Sequence, residues 1–115
     1  MTSVTFFRQE GRLVGFRASG HTGYAEAGED IVCAAVSALC QTAVLGVQRV
    51  IGLPVVETED ESAPLLELLL EERFDQALER DADLLLRTLE EGVTDISKQH
   101  PAFVRVIHRE RRQKP

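Results

Sequence analysis

The chain has 115 residues, 43% of them hydrophobic and 28% charged, with a formal net charge of −6. That length fits one domain, residues 1–115, and the composition excludes a disordered chain. The acidic balance argues against a protein that grips nucleic acid through its phosphates, so no direct nucleic-acid partner is expected.

Aromatic residues make up only 5% and Trp is absent, so the core must be aliphatic. Met1–Gln9 has a single cation and no long apolar run, so no secretory signal is expected. The longest apolar stretch, Ile31–Leu53, carries Ser37, Gln41, Thr42 and Arg49, which favours a buried helix over a membrane span. Two cysteines cannot make a disulfide scaffold at this size. The expectation is a cytoplasmic, soluble protein. The last eleven residues set five cations against Glu110 and read as a solvated basic terminus.

In chain order, Val4–Arg8 and Leu13–Ala18 read as two strands joined through Gly11 as a hairpin. Ser19–Glu29 holds three closely spaced glycines without periodicity and reads as a loop. Asp30 reads as an N-cap for a helix from Ile31 to about Gly52, apolar on almost every face and therefore placed at the centre of the fold. Val55–Thr58 and Leu65–Glu71 are strand candidates around the acidic turn Glu59–Ser62. From Asp75, Leu78, Ala82, Leu85, Leu89 and Ile96 recur at helical spacing, and Phe103–His108 alternates as a closing strand. The order β-β-α-β-β-α-β predicts an α+β domain of two layers, a mostly antiparallel sheet with two main helices.

The stretch from Gly20 to Leu39 sets His21 in a glycine-rich loop and Cys33 in the first turn of the predicted helix. A thiol attacks as thiolate, and a helix N-terminus or an imidazolium favours that form. The same imidazole can protonate a leaving amine, and unpaired amides at the helix start can hold an oxyanion. Each residue keeps a plainer reading. Cys33 can be a small buried hydrophobe, and His21 a loop histidine bonded to backbone. Asp30 can be only the cap, or a third member that orients His21. Ser37 can bond back to the carbonyl of Cys33, or serve the site in a minor way. Tyr24 can be a loop anchor or a wall of a peptide pocket. Cys40, mid-helix, reads as inert core, and it stands about 10 Å along the axis from Cys33, too far to bridge. The scattered His21, His100 and His108 give no metal site, and no cofactor is expected.

Gly20-His21-x-Gly23-Tyr24-Ala25, followed by Gly28-x-Asp30-Ile31-Val32-Cys33-Ala34-Ala35-Val36-Ser37, strongly resembles the ribosomal-processing cysteine proteases of bacteria. The likeness extends more loosely over nearly the whole chain and departs at Ala27, where the family often has a bulkier residue. The resemblance implies an endopeptidase with Cys33 as nucleophile and His21 as general base and acid. It implies Asp30 and Ser37 in support, and Gly20, Gly23 and Tyr24 in a mobile loop that closes over the peptide. Its implied substrate is the precursor of a large-subunit ribosomal protein, number twenty-seven, whose N-terminal extension is removed after an aromatic pair. It also implies a homodimer. Two rivals remain open: a non-catalytic ribosome-associated or assembly protein, and a thiol redox protein, which lacks a Cys-x-x-Cys pair here.

Overall fold

Alternation of apolar and polar side chains builds the first hairpin. In a computed structural model that describes residues 1–20, 28–60, 65–70 and 75–111, strands β1 (Thr2–Gln9) and β2 (Arg12–Ser19) pair antiparallel. Their link, Glu10 and Gly11, has φ of 53° and 82°, so both residues are left-handed. Two such residues make the tight turn whose twist matches that of paired strands. The register runs Phe6↔Phe16 and Phe7↔Gly15, then shifts to Arg8↔Leu13, which leaves Val14 as the extra residue of a bulge. A side chain from the second helix covers this irregularity, because Asp83 Oδ1 accepts from the Leu13 amide at 2.9 Å.

The sheet has five strands in the order β3-β4-β2-β1-β5, with β3 (Val55–Asp60), β4 (Leu65–Leu70) and β5 (Val104–Glu110). Every pairing is antiparallel except β1 with β5, which run parallel. The predicted α+β arrangement and element order are therefore those observed.

Both helices lie on one face of the sheet. Val4 and Phe6 of β1, Leu13 and Phe16 of β2, Leu68 of β4 and Val104 of β5 bury themselves against them. Helix α2 (Gln76–Gln99) is amphipathic and turns Ala82, Leu86, Leu89 and Val93 inward. It starts beside Asp75, where helical spacing begins in the sequence, and Asp75 caps it: its Oδ1 accepts from the Ala77 amide at 2.8 Å. A two-pronged ion pair ties it to the sheet, with Arg8 donating to both Glu90 oxygens at 2.8 and 2.9 Å. That hydrogen-bonded carboxylate raises the Arg8 pKa above its ordinary value.

Helix α1 (Glu29–Leu45) continues as a wider π-type turn over Gly46–Ile51 and stops at Gly52, whose amide reaches back five residues to the Val47 carbonyl at 3.0 Å. By length and composition the whole stretch, Glu29–Ile51, would cross a membrane, yet Val36, Cys40, Val44 and Val47 on its inner side belong to the core. The expectation of a central helix needs correction. Ile31 is 77% and Leu45 43% exposed, so α1 lies on the outside of a two-layer fold with an apolar outer face.

Two glycine substitutions separate close packing from backbone freedom. A Cβ at Gly15 would collide with the Leu68 carbonyl and lie 2.6 Å from Leu69 Cδ2, whereas at Gly92 it would meet Leu39 Cδ1 at an ordinary 3.6 Å. Gly15→Ala is expected to destabilise the fold by about 1–3 kcal/mol. Gly92→Ala is expected to stabilise α2 by up to about 1 kcal/mol. Urea unfolding of both variants checks the opposite signs.

Candidate active site

Helix α1 meets the beginning of β1 at its N-terminal end, and Cys33 lies at that junction. Burial of Val32 and Val36 fixes the rotation of the helix, so Cys33, one residue on from Val32, turns to the seam with the sheet. The thiol is half-buried and free. Its sulfur is 2.9 Å from Thr2 Oγ1 on β1. Thr2 in turn touches Gly20, where an added Cβ would approach Oγ1 to 3.3 Å. The start of β1 and the second turn of α1 therefore meet at the sulfur, and Gly20, just after β2, lies beside Thr2. Gly20 leads directly into His21 in the chain.

The helix start differs from the one expected. Gly28, at φ 89° and ψ −19°, occupies the N-cap, with no side-chain capping bond, and the first intrahelical bond runs from the Val32 amide to the Gly28 carbonyl at 3.3 Å. Asp30 is inside the first turn and exposed rather than capping it. The reason is conformational. A left-handed residue favours glycine, and Gly28 lets the chain enter the helix two residues before the aspartate. Cys33 is accordingly in the second turn, not the first. The acidic Glu29 and Asp30 suit the positive end of the helix, and Glu29 is buried, 3.0 Å from the amine of Met1.

Ser37, one turn beyond Cys33, is exposed, and its Oγ accepts from Gln41 Nε2 at 2.9 Å. The serine thus engages the turn after it instead of bonding back to the Cys33 carbonyl. Thr2 was not foreseen. Strand alternation places it on the helix-facing side of β1, but nothing in the sequence links residue 2 to residue 33. His21, Gly23 and Tyr24 fall outside the described residues, as does the predicted loop around them between Gly20 and Gly28.

Cys40 shows the contrast that a single helix can generate. It is 0% exposed, and burial pushes its thiol from an ordinary value near 9 up to about 12. A concavity of about 280 Å³ lies at the far end of the sheet, lined by Gln9, Arg12, Leu70 and Arg111 among others. It is roughly 20 Å from Thr2 along β1, and Cys33 does not line it.

The two thiols should respond oppositely to reagents. Iodoacetamide on the native protein is expected to add one carbamidomethyl group, at Cys33, and to reach Cys40 only after unfolding, as read by peptide mass. The Cys40 shift also carries a stability consequence. Above pH 9 the unfolded chain loses this proton while the folded chain keeps it to about pH 12, so the unfolded state binds fewer protons and stability falls. The slope from this group is up to about 1.4 kcal/mol per pH unit. Cys40→Ala should remove that component from the alkaline limb of the stability curve.

Comparison with known proteins identifies the family and the fold. A family profile for the cysteine protease Prp matches residues 1–105. The fold is similar to that of SMU.848 from Streptococcus mutans, at 29% identity and a TM-score of 0.84, covering 96% of each chain. It is also similar to the essential ribosomal processing protease Prp from S. aureus in complex with a substrate peptide, at 20% identity and a TM-score of 0.81. A second S. aureus structure, with a covalently linked product peptide, matches at 21% identity and a TM-score of 0.77. Both cover 94% of this chain and 99% of the other. No curated protein matches significantly. With the family profile spanning all but the final ten residues, the chain belongs to the Prp family of cysteine proteases and is a thiol hydrolase.

Proposed function

We propose that this protein is a ribosomal processing protease that removes the N-terminal extension of large-subunit ribosomal protein number twenty-seven, with Cys33 as nucleophile and His21 as general base and acid. The observation that carries this reading is the half-buried Cys33 sulfur at the junction of α1, β1 and Gly20, in a chain of the Prp family. The substrate assignment is supported by the similar S. aureus protease, a ribosomal processing enzyme seen with substrate and product peptides. The site of ribosome assembly makes the cytoplasm the expected compartment.

In the proposed mechanism, His21 takes the Cys33 proton and the thiolate attacks the scissile carbonyl carbon. Amides at the start of α1 hold the oxyanion, and collapse of the tetrahedral intermediate breaks the C–N bond as His21 protonates the leaving amine. Water then adds to the thioester with His21 as base, releasing the carboxylate product and returning the proton to sulfur. Asp30, not engaged as the cap, is assigned to orienting His21, since positions 30 and 33 are neighbours on the helix surface. Ser37 lies one turn further on the same side, and Gly23 and Tyr24 belong to the proposed peptide-binding loop.

A second copy of the chain is proposed to cover the outer face of α1. Ile31 and Leu45 stand exposed there with Ala34, Ala35 and Ala38 between them. Small residues between two large ones permit close helix approach, and a contiguous exposed apolar stripe marks an interaction surface.

Incubation with the precursor ribosomal protein, read by intact mass, should show loss of the extension. Cys33→Ala is expected to abolish that cleavage without loss of thermal stability, while Cys40→Ala keeps turnover near the parental level. Equal loss in both variants would contradict the assignment of Cys33. Light scattering should give twice the 12.8 kDa chain mass, and Leu45→Glu should shift the population toward single chains.

A further inference from the structure

We propose that Thr2 is a positioning residue for the nucleophile, its hydroxyl holding the Cys33 sulfur in place and donating to it whenever it carries charge. This rests on the reading of Cys33 as nucleophile.

Thr2 is built to be rigid. Its amide donates to the Phe103 carbonyl at 2.8 Å, and its partner in the parallel β1–β5 pairing is Val104. The turn that presents Phe103 is itself closed by the Phe103 and Val104 amides, which donate to the His100 carbonyl at 3.0 and 3.2 Å. A β-branched side chain on such a backbone has little freedom at χ1. Thr2 is only 8% exposed, and its Oγ1 meets Cys33 Sγ at 2.9 Å. The absence of a side chain at Gly20 leaves room for that hydroxyl.

The chemistry of the pair suits a sulfur that gains and loses a proton. A hydroxyl offers one donor and two acceptor positions, so the neutral thiol can donate to Oγ1. Once the proton has left, sulfur can only accept, and the Thr2 O–H turns to donate to it. Hydrogen bonds to a charged partner are the stronger kind. The contact therefore strengthens as charge develops, both before attack and when the thioester breaks down and thiolate leaves.

The test uses the full chain with Thr2→Val, Thr2→Ala and Thr2→Ser. Iodoacetamide alkylation of Cys33 is followed by mass at fixed neutral pH, alongside kcat and KM on a peptide spanning the extension junction. Loss of the hydroxyl in Thr2→Val and Thr2→Ala is expected to slow alkylation roughly tenfold. It should lower kcat with KM unchanged, and Thr2→Ser should recover most of both. Parental alkylation rates in Thr2→Val, or failure of Thr2→Ser to recover the loss shared by the other two, would overturn the proposal. Alkylation needs no peptide. Slowed and rescued alkylation in a protein that never cuts the peptide would therefore support the contact and locate the failure in the substrate assignment.

Discussion

The seating of α1 across the sheet decides which sulfur can react. Cys33 and Cys40 are seven residues apart, so they point within about 20° of the same direction and differ by about 10 Å along the axis. Direction alone would give them the same surroundings. Their difference comes from where the helix ends. Cys40 sits over the packed middle, sealed from water with its thiol pushed up to about 12. Cys33 sits where the helix leaves the sheet, against the first residues of β1 and half open. Burial of Val32, Val36, Val44 and Val47 locks this placement.

The same arrangement explains why the site is assembled from distant parts of the sequence. Strand β1 lies between β2 and β5, and its first residue, Thr2, pairs with Val104 of β5. The parallel partner β5 comes from the end of the chain, and its preceding turn supplies the carbonyl that holds Thr2. A sulfur on α1 thus rests on a scaffold made by both ends of the sequence. Helix α2 binds that scaffold together through its apolar stripe, the Arg8–Glu90 pair and the Asp83 contact to the β2 bulge.

Much of this was readable in the residues. Alternation at Val4, Phe6 and Phe16 marks strands that bury one face, and the spacing of Ala82, Leu89 and Ile96 marks α2. The pattern around Cys33 points to the right family because its motif is contiguous in sequence. Three features were not legible, each for a physical reason. The cap at Gly28 depends on a left-handed backbone, which Asp30, a better cap by side chain, conceals. The outer face of α1 is apolar although it is exposed in the single chain, so its pattern resembles that of a central helix. The Thr2 contact is set by the parallel β1–β5 pairing, a long-range choice that strand propensity does not encode.

Sulfur chemistry at Cys33 implies a covalent bond between enzyme and peptide, and that bond can be weighed. The unaltered protein is mixed with junction peptide, quenched in acid during turnover, digested, and sequenced by fragment ions. The expected result is a transient mass increase equal to the acyl half of the peptide, located on Cys33, with Cys40 unmodified. Sustained turnover with no acyl group on Cys33, or with the acyl group on another residue, would contradict the central claim.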